Sequence, residues 1–144
     1  MSTLFRLLLL VVVLASASLN TALADGVYFD INKREVRVPV CDAPSVLSAV
    51  KRTIARADHA YRGGLRVEAM DLIAQTSFTR NRKSPIARRY CRARAYLSNG
   101  REHPLYYMIE EYAGFVGLSW NVEACLPGHD RWKVHDGYCR TVRR

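Results

Sequence analysis

The 144-residue chain contains no Cys-x-x-Cys pair, no glycine-rich phosphate loop, no serine nucleophile elbow, no dinucleotide fingerprint and no calcium-binding loop. Each absence removes a class of chemistry. Nucleotide phosphates are cradled by backbone N–H groups of a glycine-rich turn, and thioredoxin-like redox centres and zinc sites usually place two thiols within a turn of each other. Acidic residues are also scarce, 13 Asp and Glu against 22 Lys and Arg, for a formal charge of +9. Lysine is scarcer still: 18 of the cations are arginine, which excludes a simple polylysine arm. An apolar share of 49% is too high for a disordered tail. Repeats and low-complexity segments are absent, and one basic folded domain is the expectation at this length.

Much of the hydrophobicity lies in residues 1–24. One cation, Arg6, precedes an apolar run over residues 7–15, and Thr21-Ala22-Leu23-Ala24 forms a small-x-small pattern before Asp25. This is the pattern of a signal peptide, and its apolar run is shorter than the roughly 20 residues that span a bilayer. Cleavage after Ala24 leaves a single mature domain over residues 25–144 with a net charge of +8 and no later stretch able to form a transmembrane helix. Export implies the periplasm or secretion, an oxidising setting in which Cys41, Cys91, Cys125 and Cys139 are expected to form disulfides. Three connectivities are open. A short loop around Pro127-Gly128 favours Cys125–Cys139, leaving Cys41–Cys91 to tie the start of the mature chain to its centre.

The mature chain opens with two alternating stretches, Val27, Phe29, Ile31 and then Val36, Val38, Val40, which predict an N-terminal β-hairpin. Asp42 offers an N-cap with Pro44 in the first turn. Val46, Leu47, Val50, Ile54, Ala57 and Tyr61 then recur at helical spacing until Gly63-Gly64, with Lys51, Arg52, Arg56 and Arg62 on the opposite, solvated face. Residues 65–77 are ambiguous between helix and strand and read as a strand, and residues 81–85 read as a loop. From Ile86 the chain is plainly β: Cys91, Ala93, Ala95 and Leu97 alternate with Tyr90, Arg92, Arg94 and Tyr96, up to an Asn99-Gly100 pair suited to a type I′ turn. Strict two-residue-turn pairing would put Tyr106 and Met108 on the alanine side, unless Pro104 introduces a bulge. A return strand over residues 105–112, a third with Leu118, Trp120, Val122 and Ala124, and a last short strand over residues 132–138 complete the pattern. The expected fold is α+β: an N-terminal hairpin and one long helix packed on a curled antiparallel sheet, of cystatin-like or NTF2-like type, held by two disulfides.

The exposed sheet face would carry alternating Arg and Tyr. Seven cations and no acid fall in residues 80–94, and Arg80, Arg82, Lys83, Arg88, Arg89, Tyr90, Arg92, Arg94 and Tyr96 are the candidate anion-binding residues. Guanidinium forks grip phosphate or carboxylate bidentately, and aromatic rings stack on sugars. The same residues would also make ordinary cross-strand pairs of up to about 1 kcal/mol each. The partners such a surface would meet after export are an anionic envelope polymer, a lipid head group or an acidic protein. Nucleic acid fits poorly, since export removes the chain from it and no recognition motif is present.

Two catalytic readings stand beside this one. His59, His103, His129 and His135 with Glu110, Glu111, Glu123 and Arg92 or Arg94 include the residue types of a secreted ribonuclease or glycan hydrolase, without a specific spacing. His129, Asp130, His135 and Asp136 could ligate a metal, but Gly128-His129-Asp130 and Asp136-Gly137 are turn chemistry. No catalytic residue, metal or cofactor is assigned on this basis, and the balance weighs against an enzyme.

Arg88-Arg89-Tyr90-Cys91-Arg92-Ala93-Arg94-Ala95, Ser98-Asn99-Gly100, Tyr107-Met108-Ile109-Glu110, Trp120-Asn121-Val122-Glu123-Ala124-Cys125 and Gly128-His129-Asp130-Arg131-Trp132 together resemble a group of small exported alphaproteobacterial proteins of unknown function. The resemblance covers the second half of the chain. It implies a Gram-negative periplasmic setting and the Cys125–Cys139 pairing, and it brings no activity or site residue. The functional expectation is therefore an exported, non-enzymatic binding or structural module for an anionic envelope component or acidic protein. A secreted hydrolase and a periplasmic inhibitor or partner subunit are the alternatives.

Overall fold

A computed structural model describes residues 37–57, 59–81 and 84–144. The proposed signal peptide and most of the proposed N-terminal hairpin lie outside the described residues. Residues 37–40, the described part of that hairpin, form no strand.

Helix α1 spans Pro44–Ala55. Pro44 opens it because the first helical N–H has no intrahelical partner to lose. The cap position falls on Ala43 rather than Asp42 and carries no side-chain cap bond. The stripe Val46, Val50, Ile54 is fully buried, as the sequence period requires. The helix does not continue to Gly63: Arg56 N–H bonds to Arg52 and Ala57 N–H bonds back to Ile54, closing the last turn tightly. A separate short helix, α2, follows at His59–Arg62. Tyr61 and Arg62 consequently leave the helix surface. Tyr61 stacks on Trp132 at 4.9 Å, and Arg62, expected in solvent, is buried with Nη2 donating to the Ala124 carbonyl at 3.1 Å.

Four antiparallel strands follow in sequence and spatial order: β1 Val67–Asn81, β2 Ser84–Leu97, β3 Glu102–Glu110 and β4 Asn121–Cys125. The strand reading of residues 65–77 matches β1. The expected loop at 81–85 is shorter than supposed, since Asn81 pairs with Ser84 and the two strands form one long hairpin. The strand expected over residues 132–138 is absent. Asp130 accepts the backbone N–H groups of Val134 and His135 at 2.8 and 2.7 Å, and Lys133, Asp136, Tyr138 and Cys139 all take positive φ, which folds this stretch into turns.

The β2–β3 turn departs from type I′ in a way that decides the core. Only Gly100 has a positive φ (76°); Gly100 N–H bonds to Leu97 and Leu97 N–H to Arg101, a three-residue connection with a bulge at the glycine. The extra residue shifts the register by one, so Ala93 faces Leu105 and Cys91 faces Tyr107. A one-residue shift exchanges the faces of a strand. Leu105, Tyr107 and Ile109 therefore point inward with Ala93 and Ala95, while Tyr106 and Met108 lie on the arginine side, the reverse of two-residue-turn pairing. The inner face packs under α1, where Lys51 Nζ donates to the Glu68 carbonyl on β1 and Thr53 Oγ1 to the Val122 carbonyl on β4.

The outer face is partly roofed. Tyr90, Met108, Cys125, Cys139 and Val142 form a second buried cluster beneath the C-terminal segment, which the Cys125–Cys139 disulfide straps down. The other disulfide, Cys41–Cys91, fixes the residues before α1 to the middle of β2, and Tyr107 Oη donates to the Cys41 carbonyl at 2.8 Å beside it. Among the described residues no cysteine is free and no helix is long and apolar enough to cross a membrane.

The two disulfides close chain loops of different length, with separations of 50 and 14 residues. By loop entropy, Cys41→Ala/Cys91→Ala is expected to cost about 4 kcal/mol and Cys125→Ala/Cys139→Ala about 3 kcal/mol. Urea unfolding of the two double variants against the parent chain measures the order.

Candidate functional site

The arginines of β2 meet different fates. Arg88 pairs with Glu110 across to β3. Arg89 turns to the inner edge, where it bonds Gln75 Oε1 and the Val38 carbonyl and lies over the Phe78 ring; burial lowers its pKa. Arg94 is held by Asp71 on β1 through two bonds, Nε to Oδ1 at 2.8 Å and Nη2 to Oδ2 at 2.6 Å, with Glu102 at 3.3 Å and the Tyr96 ring below. The Arg94 hydrogen bond, supported by one from Tyr96 Oη, holds the Asp71 carboxyl at about 2. The same bonds raise the pKa of the Arg94 guanidinium and the Tyr96 phenol. Tyr90 is buried beneath the C-terminal roof with Arg144 over its ring. Arg80 is exposed near the β1–β2 turn, and Arg82 and Lys83 lie outside the described residues.

Arg92 differs from all of these. It is exposed, and among the described residues it has no hydrogen-bond or ion-pair partner. Its outward neighbour on β3 is Tyr106, whose ring lies under Arg143. On its other side β1 leaves the ladder: Asp71 pairs with Arg94 and the next pair is Ala74 with Arg92, so Leu72 and Ile73 together form a bulge opposite Ala93, with Ile73 packed on the main core and Leu72 exposed. Leu72 takes φ 48°, a left-handed conformation that costs a residue with a Cβ on the order of 1–2 kcal/mol, and its side chain is 70% exposed. The bidentate Asp71–Arg94 pair anchors one end of the bulge. The result is a cleft of about 720 Å³ between the bulge, the Arg92–Arg94 stretch of β2, and Pro104 and Tyr106 of β3. Cleft charge is mixed: Arg94 is offset by Asp71 and Glu102, and Arg92 is left as the open cation.

The structure thus gathers Arg92, Arg94 and, through Asp71, Tyr96 at one place, and separates Arg80, Arg88, Arg89 and Tyr90 from it. Sequence reasoning missed Asp71, Leu72 and Tyr106. A carboxylate on the neighbouring strand and an aromatic at the next outward position carry no motif: the β2–β3 register sets Tyr106 opposite Arg92, and the β1 bulge follows Asp71, which engages Arg94.

The residues considered for acid–base chemistry do not converge. Glu110 is paired with Arg88; Glu111 is buried and accepts the backbone N–H groups of Arg37 and Ala87 at 2.9 and 3.2 Å. His103 and His129 meet edge to face at 4.9 Å, and His103 Nε2 lies 2.6 Å from the Pro127 carbonyl. His135 Nδ1 is 3.9 Å from Glu123 Oε2 and 3.3 Å from Thr141 Oγ1. Asp130 and Asp136 act as turn acceptors. Burial alone would raise the Asp130 carboxyl, but the Tyr61 hydroxyl and the His135 and Val134 N–H groups outweigh it and hold it below the ordinary value. No three metal-ligating side chains cluster among the described residues. Comparison of the chain with protein-family models, with curated proteins and with solved structures returns no match.

Burial lowers the pKa of both His103 and His135, with the neighbouring His129 adding to it for His103; at His135, Glu123 and Asp130 oppose the shift without cancelling it. Both imidazoles are thus neutral in the fold at a pH where the unfolded chain, near 6.5, takes up protons. Their stability contribution is complete above about pH 7 and falls as the pH drops below 6.5. The melting temperature is expected to decline from pH 7.5 to pH 5, and the decline is expected to be shallower in His135→Gln than in the parent.

Proposed function

We propose that this is an exported, non-enzymatic binding module that recognises an anionic group of a cell-envelope component or acidic protein in the cleft around Arg92. The observation that carries the reading is a guanidinium left exposed and unpaired on a face where the neighbouring cations are engaged within the fold. An Arg fork offers paired donors to a phosphate or carboxylate, and the Tyr106 ring beside it suits the flat face of a sugar. Two disulfides support an oxidising compartment, the periplasm or the exterior. The helix laid across a four-stranded antiparallel sheet supports the cystatin-like or NTF2-like comparison, whose members cover a sheet in this manner. A resemblance to small exported alphaproteobacterial proteins is consistent with the same setting.

Binding is expected to be salt-sensitive, because exposed charges are screened within about 10 Å at 0.1 M salt. The test is binding to lipopolysaccharide and to soluble peptidoglycan fragments at low and raised salt, with two variants that each remove one cation. Arg92→Ala is expected to weaken binding at least about tenfold, in the range of a charged hydrogen bond, whereas Arg88→Ala changes it little. Equal losses in the two variants would show that net charge alone is read, and the cleft assignment would fall.

A further inference from the structure

The β3–β4 connection, residues 111–120, exposes Phe115, Val116 and Leu118 at 90%, 72% and 74%. Soluble surfaces scatter single apolar side chains, but three at one loop tip mark an interaction site. The chain carries no charged residue between Glu111 and Glu123. The loop is built rather than slack. Gly114 N–H bonds to the Ser119 carbonyl, Gly117 N–H to Gly114 and Leu118 N–H to Phe115, so three backbone donors of the loop are satisfied within it. A Cβ on Gly114 would lie 2.9 Å from Ser119 Cβ and 3.0 Å from the Trp120 carbonyl, which only glycine avoids. At its base, Glu111 is clamped to the backbone of Ala87 and Arg37.

The sheet register says what lies beside it. Glu110 pairs with Arg88 on one side and with Asn121 on the other, so the loop leaves the sheet at the end from which the β1–β2 hairpin also projects. That hairpin runs on from Arg88 to the Asn81–Ser84 pair, about 13 Å further at the usual strand rise. This end carries Arg37, Arg80, Arg88 and Arg89. Among the described residues, Glu110 and Glu111 at this end are engaged by Arg88 and by backbone N–H groups, and Glu123 lies close enough to act on Arg88. Apolar residues at a loop tip, with cations at the same end of the sheet, complement the boundary between acyl chains and anionic head groups. The cleft at Arg92 lies on the outer face, away from this end.

We propose that this end of the sheet docks on an anionic lipid bilayer, with Phe115, Val116 and Leu118 entering the interface and the Arg37 and Arg80 side of the domain lying against the head groups. This goes beyond the cleft reading and does not depend on it.

The experiment is sedimentation of the protein with vesicles of phosphatidylglycerol and phosphatidylethanolamine, and with vesicles of phosphatidylcholine alone. The parent is expected to bind the anionic vesicles and to be released by salt. Phe115→Ser/Leu118→Ser, two exposed sites at which the fold is expected to survive as checked by near-ultraviolet circular dichroism, is expected to weaken binding at least about tenfold. Arg80→Ala is expected to weaken it about fivefold, and Arg92→Ala to leave it unchanged. In Phe115→Trp the indole emission is expected to move to the blue on the anionic vesicles. The proposal is overturned if the parent does not bind, if the double variant binds as the parent does, or if the emission of Phe115→Trp is unmoved. It is also overturned if the double variant loses only self-association, measured by sedimentation equilibrium, which would make a second copy the occupant. Loss of vesicle binding in Arg92→Ala alone would return lipid binding to the cleft and overturn the loop assignment.

Discussion

One extra residue in the β2–β3 turn governs most of what the sheet presents. Gly100 accepts the positive φ that closes a three-residue connection, and this sets β3 one step away from the register a two-residue turn would impose. Leu105, Tyr107 and Ile109 enter the core because of it, and Tyr107 reaches the Cys41 carbonyl where the first disulfide meets β2. On the opposite side, the same offset supplies Tyr106 and Met108. Met108 helps to fill the cluster under the C-terminal strap, and Tyr106 becomes a wall of the cleft. With the other register, polar Glu110 and the prolyl ring of Pro104 would face the helix, and Leu105, Tyr107 and Ile109 would lie on the arginine side instead of in the core.

Basicity is a property of the whole chain, but the fold distributes it unevenly. Arg88 and Arg94 are neutralised by carboxylates on adjacent strands, Arg89 is drawn to the inner edge, and Arg62 is buried with two of its nitrogens, Nε and Nη1, lacking hydrogen-bond partners. Exposed ion pairs of this kind contribute little to stability, commonly under about 1 kcal/mol. Their larger effect is geometric: the bidentate Asp71–Arg94 pair pins the strand bulge and leaves the neighbouring Arg92 facing open space.

Local periodicity carried the parts of the fold that depend only on which face is buried. The inward run Cys91, Ala93, Ala95, Leu97 and the helical stripe Val46, Val50, Ile54 are both as their spacing requires, and of the three possible cysteine pairings the structure has the one favoured by the short loop around Pro127-Gly128. Features that depend on one residue more or less were not readable. Asn99-Gly100 suits both a two-residue and a three-residue turn, and the choice inverts the faces of β3. The alternation around Trp132 and Val134 looks like a strand, yet a single Asp130 carboxylate gathers the backbone N–H groups into a turn. The candidate site was half visible for the same reason. Arg92 and Arg94 stand out as cations on a strand, but which of them is left open depends on Asp71, 23 residues before the Arg94 it engages, on a strand whose bulge has no sequence signature.

The bulge at Leu72 and Ile73 has a second effect, on the border of the sheet rather than on its face. Among the described residues β1 is an edge strand, 15 residues long, enough to offer a continuous row of backbone groups to another chain. Its ladder with β2 shifts at four points, and at Leu72 the backbone turns left-handed with an exposed side chain. A strand so interrupted is a poor template for a neighbouring molecule, because a straight partner cannot keep step with it. The irregularity that opens the cleft thereby also guards the domain against edge-to-edge aggregation.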